Sequence, residues 1–369
     1  MKKQKKIKLI GFKKYAAFEK IIIECCADDF MQQHNPIFKS KSETITFAES
    51  IGTCQLFSVL AAAKFHTNAK LIFGNENAKY VQNKIEDALR LGNRRALAKA
   101  PKVETISQLR ESFPNFCEAI DVIEGAFALS HLSAQGYLQI SPILLLGPPG
   151  VGKTAFVQSL SKLIGINFSR IDIGTSSSSA ILAGLSLTWS SGRCGEIFNL
   201  LTESEFMNPI VILDEVDKAV GNHSAPIEPI LLSLLEPESS STFKDEAIQM
   251  QINASNIIWI ATANKTERIS EPLMSRFTVV EIKQPSYEQS KKIVRNIYKS
   301  FKTDNKWGAS FEDDLDAEVI NKLSKNTPRV ATKLLQQAFG KAAINHRNKI
   351  LTDDISCLEI KQSYKIGFV

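Results

Sequence analysis

Five short apolar runs punctuate the middle of the chain: Pro142 to Leu146, Asn167 to Ile173, Ile210 to Leu213, Ile257 to Thr262 and Phe277 to Ile282. Runs of this length, bounded by polar or glycine turns, predict β-strands. Each is mostly apolar rather than alternating, which suits strands buried on both faces of a sheet. Helical spacing fills the gaps between them, so the pattern predicts a parallel, five-stranded α/β sheet flanked by helices. After Pro285 the strand runs stop, and helices over about 286–301, 315–324, 328–347 and 353–364 predict a small helical domain. Upstream, Phe113-Pro114 breaks the chain before a helix from about Cys117 to Gln135. Residues 1–100 show mixed patterns, with an apolar Ile21-Ile22-Ile23, a small-residue stretch at Ala61-Ala62-Ala63 and a helix from Ala78 to about Ala98. They predict an α or α+β accessory region of no nameable fold. Ser176 to Ser179 and Ser239 to Ser241 read as polar loops. The predicted division is 1–100, 101–284 and 285–369, with Pro101 at the first boundary.

Composition narrows the class without changing this division. At 369 residues with 44% hydrophobic and 23% charged positions, the chain reads as globular, and no apolar run reaches membrane-spanning length. The lysines at 2, 3, 5, 6 and 8 resemble the start of a signal peptide, but Lys13 and Lys14 interrupt the apolar stretch that follows. No membrane contact and a cytoplasmic location are therefore expected. Six cysteines, at 25, 26, 54, 117, 194 and 357, have neither zinc-ligand spacing nor a disulfide pattern, and reduced thiols are expected. Residues 1–100 carry 18 Lys/Arg against 9 Asp/Glu, while the remainder carries 27 against 30. That basic end fits nucleic acid, acidic lipid or an acidic partner, although a charge run at a terminus is more often a solvated end.

Candidate chemistry lies at the ends of the predicted strands. Gly147, Pro148, Pro149, Gly150, Val151, Gly152, Lys153 and Thr154, followed by Ala155, come directly after the first apolar run and open a helix. Glycines let backbone N–H groups approach phosphate, and a helix N-terminus adds favourable partial charge. Lys153 is placed to reach the β- and γ-phosphates of a nucleoside triphosphate, and the Thr154 hydroxyl to ligate Mg²⁺. Ile210-Val211-Ile212-Leu213 leads into Asp214 and Glu215. Asp214 would hold magnesium through its outer shell, and Glu215 at the strand tip would polarise the attacking water. Asn264 closes a third strand with an amide that can donate and accept at once, as water positioning requires. Arg276 and Arg329 lie just before the last strand and at the start of a helix, where a guanidinium can meet charge on a transferring phosphate.

The order Lys153, Asp214-Glu215, Asn264, Arg276, Arg329 resembles that of Walker A, Walker B, sensor 1, arginine finger and sensor 2 in the AAA+ ATPase superfamily, across about 115–360. Within it the chain is most similar to the ATPase module of Lon proteases. The likeness rests on Asp214-Glu215-Val216-Asp217-Lys218, Leu231-Leu232-Ser233-Leu234-Leu235-Glu236-Pro237-Glu238, Phe243-Lys244-Asp245 and Pro272-Leu273-Met274-Ser275-Arg276. It implies a P-loop NTPase core with a helical lid, ATP and Mg as ligands, and a homo-oligomeric ring, expected as a hexamer, in which Arg276 serves the neighbour's nucleotide. It also implies a pore-loop role for Thr188-Trp189, where an aromatic grips a moving polypeptide; the alternative is a Trp that covers core surface. Departures are expected too: few residues follow the lid, so no Lon peptidase domain with its Ser-Lys pair is expected.

The function implied is a ring-forming ATPase that remodels or translocates a protein substrate. Two rivals remain open from the sequence: a nucleic-acid motor or loader using the basic N-terminus, and an ATP-gated assembly switch that recruits a separate effector.

Overall fold

The structure is a computed structural model that describes residues 48–174, 179–218 and 226–355. The lysine-rich start, Ile21 to Ile23, Cys25, Cys26, Ser176 to Ser178, Cys357 and most of the helix expected at 353–364 lie outside the described residues. The chain divides into two compact units: one from the described parts of Met1–Val103, Gly125–Leu144 and Ser161–Val279, the other from those of Glu104–Glu124, Leu145–Leu160 and Val280–Val369.

Nine strands are described: β1 (Ser50–Gln55), β2 (Arg94–Ala98), β3 (Ile143–Leu146), β4 (Phe168–Asp172), β5 (Ile210–Asp214), β6 (Phe243–Lys244), β7 (Gln251–Ile252), β8 (Ile258–Ala263) and β9 (Thr278–Glu281). The five expected runs become β3, β4, β5, β8 and β9, joined in the order β4-β5-β8-β3-β9. The pairs β4–β5 and β5–β8 are parallel, with Ile210 opposite both Phe168 and Ile258. The expectation that all five are buried on both faces holds for the centre only. Every residue of β5 and β8 is buried, whereas β9 buries Val280 and exposes Thr278, Val279 and Glu281. β9 and β4 are the sheet edges, where fewer neighbours cover the strand.

Within the first unit, β1 and β2 pair antiparallel, and the helices Val59–Thr67 and Ala69–Arg90 connect them. The second helix is broken at Gly74, whose φ of 77° and ψ of 170° are not helical. The helix expected from Ala78 to Ala98 ends early: Gly92 turns the chain at φ 78°, and Arg94–Ala98 is strand instead. Arg95 secures the helix end there. Its buried guanidinium donates to the carbonyls of Leu91 (3.0 Å), Gly92 (2.7 Å), Leu201 (3.2 Å) and Thr202 (2.9 Å). One cation thus satisfies orphan carbonyls at the helix end and ties them to the helix Glu196–Glu203. A second polar staple is Asn208, fully buried, which accepts from the Ala98 N–H at 2.9 Å and donates to the Leu138 carbonyl at 3.1 Å. The serines at 239 to 241, expected as loop, partly form the short helix Pro237–Ser240, with the Ser240 hydroxyl donating back to Glu236 O at 2.7 Å.

The second unit holds the helices Ser107–Ser112, Tyr287–Asp304, Ala317–Leu323 and Pro328–Ile344. Tyr287–Asp304 opens with a capping box, in which Ser286 and Gln289 satisfy each other's backbone N–H groups. The core of these last three helices centres on Phe339, with Tyr298 stacked at 5.3 Å and Phe311 edge-on at 4.8 Å. Another aromatic group, Phe113, Phe116 and Phe156, packs at centroid distances of 5.6, 5.4 and 4.7 Å.

Replacing Arg95 by Met keeps the stem but strips several buried carbonyls of their donor. We expect a loss of about 3 kcal/mol in urea unfolding, with the slope of the transition unchanged; a midpoint equal to wild type would contradict the role given to the guanidinium.

Candidate functional site

β3 delivers the chain into the glycine-rich turn, and the helix Lys153–Ile164 follows it. The turn needs its glycines for different reasons. A Cβ on Gly147 would collide with the Ile282 carbonyl oxygen, while Gly150 and Gly152 take φ values of 82° and 105° that side chains rarely adopt. The Lys153 side chain is 9% exposed and curls over the turn, donating from Nζ to the carbonyls of Gly147 (2.6 Å) and Pro148 (3.2 Å). Thr154 is half-buried at the next position. In the same unit, the Arg329 N–H donates to Gly150 O at 3.3 Å. The helix Pro328–Ile344 therefore begins against the turn, which brings Arg329 beside the Lys153 loop with its side chain exposed.

The carboxylate cluster belongs to the first unit. Asp214 ends β5 and is 6% exposed; its Oδ2 pairs with Arg170 Nη2 at 2.7 Å, and its Oδ1 accepts from the Thr262 hydroxyl. Thr262 Oγ1 in turn accepts the Glu215 N–H at 3.1 Å. Glu215 adopts φ 60°, so the chain turns sharply immediately after the strand. Its carboxylate accepts from Lys218 Nζ at 2.6 Å, and that hydrogen bond raises the lysine pKa. Asn264, just past β8, donates its backbone N–H to Asp217 Oδ2 at 3.1 Å. Asp214, Glu215 and Asn264 are thus gathered at the C-terminal ends of two adjacent strands, where ligands of open α/β sheets bind.

Arg276 stands apart from that cluster. Its Nη2 forms an ion pair with Glu236 and its Nη1 donates to Pro272 O at 2.8 Å, while its buried Nε has no hydrogen-bond partner among the described residues. Trp189 lies on a loop whose stem pairs Leu185 with Arg193, and it is 66% exposed rather than covering core surface. The returning limb is held by Asp245, whose buried carboxylate accepts from the N–H groups of Gly195 (2.7 Å), Ala247 (2.9 Å) and Ile248 (3.1 Å). Burial pushes the Asp245 carboxyl up to about 6, against the three donors that pull it down.

Sequence reasoning missed Arg170, Thr262 and Glu236. Thr262 follows from the register of the sheet, where Leu213 faces Ala261 and the next pair along is Asp214 and Thr262. Arg170 and Glu236 are charged residues in ordinary positions, and only the fold gives them partners.

Residues 143–284 match the ATPase family associated with various cellular activities (AAA), and with the parallel sheet they form an AAA+ P-loop NTPase module. That module is Lon-like. A peroxisomal Lon protease homolog 2 of Kluyveromyces lactis is 38% identical over 162 residues, 42% of this chain and 16% of that protein. The Lon protease of Malacoplasma penetrans is 28% identical over 249 residues, 65% of this chain and 31% of that protein. The chain's match therefore spans less than a third of the length of either relative. Among solved structures, the extended Saccharomyces cerevisiae Hsp104:casein complex shares the fold at TM-score 0.54 and 14% identity, over 79% of this chain and 57% of that one. No helix among the described residues is long and apolar enough to cross a membrane.

The Asp245 pKa has a sign that can be checked. The folded state binds this proton more tightly than the unfolded chain, so the carboxylate costs stability at neutral pH and that cost fades as pH falls through 6 toward 4. Thermal melts of wild type and Asp245→Asn between pH 7 and 4 should show wild type gaining on the variant with acid. A constant difference would mean that Asp245 titrates normally.

Proposed function

We propose that this chain binds ATP with magnesium, hydrolyses it, and uses the turnover as part of a hexameric ring that remodels or translocates a protein substrate. The observation that carries the reading is the glycine-rich turn after a buried strand, with a buried lysine curled over it and the Arg329 segment hydrogen-bonded to it. The turn fits a polyphosphate chemically: no side chain fits at Gly147, and the loop offers backbone donors and one ammonium. The proposed magnesium residues carry the hard oxygen atoms that suit this ion, the Thr154 hydroxyl as a ligand and the Asp214 carboxylate in its outer shell. Bound magnesium would neutralise phosphate charge.

In this reading Gly147, Pro148, Pro149, Gly150, Val151, Gly152, Lys153, Thr154 and Ala155 form the phosphate-binding segment. Glu215 accepts the proton of the attacking water, Asn264 orients that water, and Arg329 senses the γ-phosphate. Arg276 acts on the nucleotide of a neighbouring copy. For that it must leave Glu236, whose carboxylate now neutralises it. Trp189 is the side chain that grips polypeptide, a role that its exposure on a paired loop supports. No peptidase step is assigned to any residue of this sequence, and the reading requires none.

Glu215→Gln keeps shape and removes the base. A titration with a fluorescent ATP analogue should give wild-type affinity, while phosphate release falls about 100-fold or more; normal turnover would remove Glu215 from its role. Trp189→Ala should hydrolyse ATP at the basal rate yet lose stimulation by casein, an unfolded protein. Intact stimulation would exclude Trp189 as the gripping residue. DNA stimulation with steep salt dependence in place of casein stimulation would favour a nucleic-acid motor instead.

A further inference from the structure

The helix Ala69–Arg90 belongs to the accessory region for which the sequence suggested no nameable fold, yet it reaches both limbs of the Trp189 loop. The Asn77 side-chain amide donates to Leu187 O at 2.7 Å on the outgoing limb. On the returning limb, the Cys194 N–H donates to the Tyr80 hydroxyl at 3.1 Å. One helical turn further on, Lys84 Nζ donates to Asn199 Oδ1 at 2.8 Å, on the helix that follows the loop. Positions 77, 80 and 84 fall on one helical face, so a single polar stripe meets the loop and its downstream helix.

Both loop contacts go to backbone groups, and they fix where the loop runs whatever side chains it carries. The loop itself is tightly determined between them. Leu185 and Arg193 exchange backbone hydrogen bonds at 2.8 and 3.1 Å, Trp189 N–H donates to Ser186 O at 3.1 Å, and Gly192 N–H donates to Trp189 O at 2.9 Å. A Cβ on Gly192 would come within 2.6 Å of the Leu187 Cα. The kink at Gly74 lies just ahead of the stripe, so Asn77 and Tyr80 sit on the helical segment that follows the break.

We propose that Asn77 and Tyr80 are positioning residues that brace the Trp189 loop, so that the N-terminal region controls how this loop presents its aromatic side chain to a polypeptide substrate. The polypeptide part rests on the reading of Trp189 given above; the brace itself does not.

The test uses the full chain with Asn77→Asp, which cannot donate to a carbonyl, and Tyr80→Phe, which removes one oxygen, singly and together. Hydrogen exchange reads the loop, and casein-stimulated ATP turnover reads its use. In the double variant, the amides of Leu185, Trp189, Gly192 and Arg193 should exchange about tenfold faster, with β5 and β8 amides unchanged. Casein stimulation should fall while basal turnover stays the same, and Asn77→Gln, which keeps an amide donor, should retain more protection than Asn77→Asp. Unchanged loop protection overturns the proposal, and so does a loosened loop with a full casein response. If the double variant does not fold, Tyr80→Phe alone is read by the same criteria. A lost response in the double variant beside a normal one in Trp189→Ala would keep the brace and discard the gripping role.

Discussion

The register between β5 and β8 is the constraint on which the carboxylate cluster depends. Because the two strands run parallel with Leu213 facing Ala261, the acid at the end of β5 lies beside the hydroxyl of Thr262. Both strands are wholly buried, and a slip of one residue would turn their apolar side chains away from the faces they now fill. The same threonine accepts the N–H of Glu215 and so holds the turn that follows. Packing of ordinary apolar residues therefore fixes the position of the polar ones, and Arg170 pairs with the buried Asp214 carboxylate at 2.7 Å.

Away from the sheet, the first unit is held together by buried polar side chains that answer backbone groups. Arg95 collects carbonyls from two helices, Asn208 joins the backbone at Ala98 to that at Leu138, and Asp245 gathers three N–H groups below the Trp189 loop. Each spans segments distant in sequence, and each would be costly to leave half satisfied. Such residues give irregular connections a single conformation where apolar packing alone would permit several.

The central strands and the lid helices were legible because their signal is local. Ile210 to Leu213 or Ile257 to Thr262 can hardly be read as anything but buried strand, and the glycines of Gly147 to Thr154 mark the turn between strand and helix by their own spacing. The end of the helix Ala69–Arg90 was not legible. Arg94 to Ala98 has acceptable helix formers and becomes strand only because β1 pairs with it, a contact made across some forty residues of sequence. The exposed face of β9 was missed for a related reason: strand order decides which strand is an edge, and order is not written in any one strand. Glu236 as the partner of Arg276 lay beyond reach, since it does not differ from a surface charge until the fold brings the end of the short helix Glu271–Met274 against it.

The backbone at Glu215 carries a further consequence. At φ 60° it occupies a region that disfavours a side chain with a Cβ, at a cost on the order of 1 kcal/mol, and that glycine or asparagine enters readily. A library of this chain sorted only for heat resistance would thus drift toward Gly or Asn at 215 and discard the carboxylate. With the base role proposed for Glu215, durability and chemistry pull in opposite directions at this one position.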